Sequence, residues 1–419
     1  MVVGVFSIVL FNLADTYFVG QLGTEPLAAM GFIFPVITFY GYLALGLGVG
    51  ASSVVSRAIG EGNPEKAQKL ATHSLLLALA IVIVIVMIGL VTIEPLFSMM
   101  GADDKVLVLI KEYMTIWYIG MIFVVFPMVG NNIIRATGDT FYPAMVMMLA
   151  AGINIVLDPL LIFGLLGFPK MGLRGAALAT VIGRCTTMIV AFSLLFFREK
   201  LISFSKSTFH RVWDSWKKIL YIGIPSSGMN IMIPLAMAVI TRIISDYGNN
   251  AVAAIAPGTR IQFFALMPIM ALRAVIIPFT GQNWGARMKQ RAHRAQVLSN
   301  RFSILWGFFC FGVLAFTARP LANLFTEKQA VEDYIVLYLR VVPLGYGLLG
   351  VNLLAGAAFN AINRPLTALF LSAIRLLVFY IPMAWLGSVL MGVSGIFWGM
   401  AIANILAGLV SLVYLGKTF

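Results

Sequence analysis

From end to end this chain is a succession of apolar stretches, each long enough to cross a hydrocarbon layer, separated by short polar gaps. A helix rises about 1.5 Å per residue and needs roughly 20 mostly apolar residues to cross a bilayer core, where every backbone polar group must be satisfied internally. Such helices are expected near residues 1–21, 27–56, 71–93, 106–134, 141–167, 172–197, 219–245, 250–280, 297–318, 331–361, 366–390 and 392–416. Only 11% of the residues are charged, against about 25% in a soluble domain, and no segment remains for a sizeable soluble domain. The N-terminus enters apolar sequence at once, without a basic region or a small-residue cleavage site. It therefore reads as a first helix missing its start rather than as a signal peptide.

The net charge of +13 belongs to topology. Nucleic-acid binding needs a basic face on a folded soluble module, which such a chain does not offer. Basic loops stay cytoplasmic. With the N-terminus inside, 17 of the 29 Lys and Arg residues fall on the cytoplasmic side, among them Arg57, Arg135, Arg198, Lys206 and Arg287, and 6 on the other. The remaining 6, Arg184, Arg242, Arg260, Arg273, Arg340 and Arg375, lie within or at the ends of spans. Both termini are expected in the cytoplasm of a bacterial or archaeal cell, with the chain a monomer in contact with membrane lipids. Cys185 and Cys310 have no spacing pattern, and His73, His210 and His293 sit far apart near expected loop ends, so no disulfide framework or metal site is indicated.

A shift of 225 residues aligns Gly23, Phe39, Gly60 and Ala67 with Gly248, Phe264, Gly285 and Ala292, and pairs Ala136 with Ala361. After a five-residue deletion, Met171-Gly172-Leu173-Arg174-Gly175 matches Met391-Gly392-Val393-Ser394-Gly395. The fold class expected is therefore an all-α integral membrane protein with twelve transmembrane helices in two pseudo-symmetric six-helix bundles. The lobes would be residues 1–197 and 219–419, joined by a cytoplasmic loop over 198–218. An even number of helices per repeat gives both halves one orientation, as in many secondary transporters.

Of the 16 acidic residues, only Asp15 and Asp158 lie deep in spans. A carboxylate in hydrocarbon costs on the order of 3 kcal/mol by insertion scales, so each must face the bundle interior or a wet cavity. Both sit at similar depth on helices running in the same direction, so they could meet. Two carboxylates together in low dielectric do not both stay ionised. Asn154 shares a helix face with Asp158, Asn12 and Thr16 flank Asp15, and Pro159 removes a backbone hydrogen bond and locally distorts the fifth helix. A bland alternative pairs these acids with buried arginines to fix packing. The repeat argues against it, because the positions equivalent to Asp15 and to Leu157-Asp158-Pro159 are Ile240 and Tyr380-Ile381-Pro382. The run Gly46-Leu47-Gly48-Val49-Gly50 lacks the Lys and Ser/Thr of a phosphate cradle and reads as close helix packing. With no nucleotide-hydrolysis, zinc-protease or nucleophile-elbow motif, the chain is not expected to be an enzyme.

Asn12-Leu13-Ala14-Asp15-Thr16-Tyr17-Phe18-Val19-Gly20, Arg135-Ala136-Thr137-Gly138-Asp139-Thr140, and Asn154-Ile155-Val156-Leu157-Asp158-Pro159 followed by Gly172, Arg174 and Gly175 together carry a resemblance. The chain resembles the multidrug and toxic compound extrusion (MATE) transporters, in particular the DinF-like branch. That resemblance implies two six-helix lobes around a central cleft and export of lipophilic or cationic organic compounds, drugs included, in exchange for protons, with no cofactor. It makes Asp15, Asp158 and Asn154 the cation-coupling centre and adds Tyr113, Asn131 and Thr180 as supporting polar residues. Sodium is the alternative coupling ion, with Asp15, Asn154, Asp158 and Thr180 as oxygen ligands. The other bacterial branch carries a seventh-helix glutamate, and residues 225–234 here hold no acid. Lipid-linked substrate flipping and a non-coupled channel or scaffold are the rival functions.

Overall fold

The computed structural model describes residues 2–205 and 210–419, apart from the side chains of residues 5, 8, 9 and 12. The polar flank expected at Asn12 and the loop cation Lys206 lie outside that description. The fold is all-helical and multi-spanning. In chain order the α-helices are α1 (Val2–Gly20), α2 (Thr24–Gly60), α3 (Pro64–Met99), α4 (Asp104–Ile119), α5 (Met121–Ala136), α6 (Phe141–Phe163) and α7 (Leu173–Ser193). They continue as α8 (Val212–Ser245), α9 (Asn249–Gly285), α10 (Lys289–Asn323), α11 (Gln329–Val341), α12 (Tyr346–Ala361), α13 (Pro365–Ala373) and α14 (Ile381–Gly416). Their starts follow local chemistry. Asn63 accepts from Lys66 N at 2.9 Å to cap α3, whose first residue is proline, and Asp103 accepts from Val106 N at 2.8 Å to cap α4.

Among the described residues nine helical stretches are long and apolar enough to cross a membrane alone, and α4 with α5, bent by 47°, makes a tenth crossing. The stretch Pro365–Gly416 has 52 residues, about 78 Å of helix and more than twice a hydrocarbon core. It breaks at Gly392 (φ 62°, ψ −141°), which divides it into two crossings. With the 19 residues of α1, the crossings number twelve. Helices overrun the apolar stretches that announced them: the third, expected over 71–93, runs from Pro64 to Met99. Backbone hydrogen bonding continues past the hydrocarbon edge until a turn residue stops it, as Gly101 (φ 92°) does here.

The chain divides into two compact units, Met1–Ser227 and Gly228–Phe419. The repeat is visible inside each. Gly23 and Gly248 both precede a 37-residue helix with positive φ (118° and 90°), and those helices end at Gly60 and Gly285. Gly172 (φ 55°, ψ −130°) matches the geometry of Gly392. In the first unit the small-residue run of α2 does pack closely. A Cβ on Gly46 would meet Ser227 Oγ and come within 2.5 Å of Gly223 O, while one on Gly48 would collide with Asn132. Outward-facing side chains such as Val91 and Phe316 are large, apolar and exposed, as a lipid-facing surface requires.

One histidine departs from expectation. His73 is not at a loop end but fully buried within α3, and its carbonyl accepts from Trp216 Nε1 at 3.0 Å. The overrun of α3 explains the difference, since the helix begins at Pro64 with an exposed first turn and His73 falls in the buried run from Leu70 to Leu75.

Candidate functional site

The first unit brings together five of the polar residues singled out in the sequence. α6 packs against both α1 and α7, so Asp15 on α1, Asn154 and Asp158 on α6 and Thr180 on α7 converge. All are buried, Asp158 completely. One turn apart on α6, Asn154 donates from Nδ2 to Asp158 Oδ1 at 3.3 Å, and the same nitrogen lies 3.4 Å from Thr180 Oγ1. Tyr113, buried on α4, shares a hydrogen bond with Thr180 and is within electrostatic range of both carboxylates. Asp15 is likewise within electrostatic range of Asp158. The two carboxylates thus lie on packed helices, near enough for the charge of Asp15 to act on Asp158.

The cluster has more acceptors than donors. Asp15 Oδ1, Asp158 Oδ2 and Asn154 Oδ1 are buried without a hydrogen-bond partner. No ion pair among the described residues involves either carboxylate, so arginine pairing does not account for them. Buried acceptors of this kind are costly unless a positive charge or an added donor reaches them. Among the described residues no group of three His, Cys, Asp or Glu side chains could hold a metal ion. α6 runs unbroken through Pro159, whose effect is the missing N–H that leaves Ile155 O without its helical partner.

Asn131 stands apart from the cluster. On α5 it lines a cavity of about 240 Å³ with Asn132, Arg135, Met147 and Arg184. Arg135, counted from sequence among the cytoplasmic loop cations, is in fact 6% exposed in the last turn of α5. Arg184 also borders the narrow cleft beside Asn154 and Thr180, and its guanidinium lies 5.5 Å from the centre of the Phe11 ring. Helical spacing was the available signal for both, since Arg135 is four residues after Asn131 and Arg184 four after Thr180. In the second unit, the positions equivalent to the acids hold the buried Ile240 and the part-buried Ile381, and Arg273 and Arg375 line a cavity of about 20 Å³.

A twelve-crossing helical membrane protein with an internal repeat and a buried carboxylate pair in one half defines a secondary transporter, not an enzyme. The MatE family profile matches residues 1–160 and 225–386, and the chain belongs to that family. It is 40% identical to an FAD transporter of Shewanella oneidensis over 407 residues, which is 97% of this chain and 90% of that protein. It is 24% identical to the multidrug export protein MepA of Staphylococcus aureus, over 98% of this chain and 90% of that one. The crystal structure of the Vibrio cholerae MATE transporter VcmN in its bent form superposes with a TM-score of 0.95 at 30% identity, covering 100% of this chain and 94% of that one.

Proposed function

We propose that this transporter exports an organic solute by antiport with protons, coupled through Asp15 and Asp158, and that it belongs to the DinF-like branch of its family. The observation that carries the reading is the set of buried acceptor oxygens on Asp15, Asp158 and Asn154 that lack partners. Protonation converts a carboxylate from a pure acceptor to a donor and removes one of two like charges held in low dielectric. Deprotonation restores the repulsion between helices α1 and α6. A ligand shifts a two-state equilibrium only by its differential affinity for the two states, and a proton bound between two helices has that difference when the helices separate.

Asn154 presents its amide nitrogen, a donor, to both Asp158 and Thr180. The remaining partners, Tyr113 and Thr180, hold the network in register, and residues 1–197 and 219–419 act as the lobes whose rearrangement alternates access.

For the solute, the relative named an FAD transporter supports a flavin dinucleotide or a similar large organic anion, in place of the lipophilic or cationic compounds that the resemblance alone implied. The test uses purified protein in liposomes loaded with FAD, driven by a pH gradient alone and then by a sodium gradient alone. Uphill FAD movement under the pH gradient supports the reading. Movement only under the sodium gradient, or dissipation of FAD down its own gradient with neither, rejects proton antiport.

A further inference from the structure

Arg135 and Arg184 face one cavity, and no acid faces them. The cavity of about 240 Å³ is bounded by α2, α5, α6 and α7 of the first unit, and its polar wall consists of Asn131, Asn132, Arg135, Arg184 and Thr187. No ion pair among the described residues involves either arginine. The amide of Asn132 is engaged by its own helix, donating to Met128 O at 2.8 Å, and Thr187 Oγ1 donates to Arg184 O at 2.7 Å. The Phe11 ring centre lies 5.5 Å from the Arg184 guanidinium carbon and supplies no counter-charge.

Arg135, buried in the last turn of α5, and Arg184, part-buried midway along α7, have no carboxylate to neutralise them, which is expensive to maintain. Guanidinium is the side-chain group best shaped for forked hydrogen bonding to phosphate oxygens. The cavity is also below the roughly 300–1,000 Å³ that holds a drug-sized molecule. It suits a charged fragment of a large solute rather than the whole.

We propose that Arg135 and Arg184 form a phosphate-recognition subsite, which selects solutes carrying a phosphate ester or pyrophosphate over neutral and cationic ones. This deepens the export reading, on which it rests for the claim that the bound molecule is cargo. Arg184 makes the subsite more than a docking point, because it borders both this cavity and the cleft beside Asn154 and Thr180. Its ring partner Phe11 is one turn before Asp15 on α1. Solute phosphate and coupling proton thus act on the same helix from neighbouring positions.

The experiment measures equilibrium binding to the full chain in neutral detergent at one pH and with no gradient, using FAD, riboflavin, ethidium and inorganic pyrophosphate as probes. FAD is expected to bind at least tenfold more tightly than riboflavin, which has the same ring system without phosphate, and pyrophosphate to compete with FAD. Arg135→Gln and Arg184→Gln should each weaken FAD at least tenfold and leave riboflavin unchanged, while Arg184→Lys, which keeps the charge, retains part of the affinity. Equal affinity for FAD and riboflavin, preference for ethidium, or FAD binding unaltered in both Gln variants overturns the proposal. So does displacement of FAD by phosphatidylglycerol micelles but not by pyrophosphate, which assigns the pair to a lipid headgroup. Failure of the export reading is separate: Arg-dependent FAD binding would persist while the liposome assay showed no proton-driven movement.

Discussion

The guanidinium of Arg184 lies 5.5 Å above the ring of Phe11, one helical turn before Asp15 on the same helix. A cation and an aromatic ring in this position attract by about 0.5–2 kcal/mol, so α7 and α1 are tied next to the carboxylate pair. Phe11→Ala is expected to lower proton-driven efflux by about two- to thirtyfold, with FAD affinity in detergent reduced by less. Unaltered efflux would remove this contact from the coupling route.

Asn154 is the one donor that reaches both Asp158 and Thr180. Replacing it with Ala strips the network of that donor and leaves Asp158 Oδ1 unpartnered as well, a cost of about 1–3 kcal/mol. Asn154→Ala should fold, melt at a lower temperature and move the pH midpoint of efflux. Thr180→Val should do the same to a smaller extent. A pH profile for Asn154→Ala superimposable on that of the unmodified protein would contradict the network.

At the turn between α5 and α6, Asp139 accepts from Phe141 N at 2.8 Å and from Arg198 Nη1 at 2.7 Å. Partial burial works to raise its pKa, but the Arg198 hydrogen bond, the two backbone N–H groups and the Arg198 charge together hold it below the usual carboxylate value. A depressed folded-state pKa means stability that is present above about pH 4 and lost as pH falls through the folded value. Asp139→Asn keeps an acceptor oxygen but removes the charge, so it should lower the melting temperature at neutral pH, and the difference should shrink below about pH 4. Equal gaps at pH 7 and pH 3 would show that charge plays no part.

Gly172 and Gly392 hold equivalent left-handed turns in the two units. An L side chain in that region costs about 1–2 kcal/mol, so Gly172→Ala and Gly392→Ala should reduce thermal stability by similar amounts. A large effect at one position and none at the other would mean that the repeat is not preserved in energetics.

Much of this was legible before any coordinates. Apolar stretches near 20 residues have one physical solution in lipid, so the all-helical spanning fold could be read directly. Asp15 and Asp158 stood out because ionisable groups in such stretches are costly, and Asn154 followed from its four-residue spacing. What could not be read depends on packing between helices distant in sequence. Arg135 lies beside a turn and reads as a loop cation, yet α5 extends far enough to bury it. His73 reads as a helix end, yet α3 begins nine residues earlier, at Pro64. The cavity shared by Arg135 and Arg184 has walls from four helices, and no periodicity within one helix reports on a space enclosed by four.

The central claim, that a proton shared between α1 and α6 drives export, is tested most directly by proton movement through Asp158→Asn in liposomes. In liposomes carrying the unmodified protein, FAD added to the medium should enter in exchange for luminal protons and acidify the medium, and Asp158→Asn should show less than about a tenth of that signal while still binding FAD in detergent. Asp15→Asn should behave likewise. Full FAD-coupled proton movement in Asp158→Asn would contradict the account, whatever the fate of the neighbouring arginines.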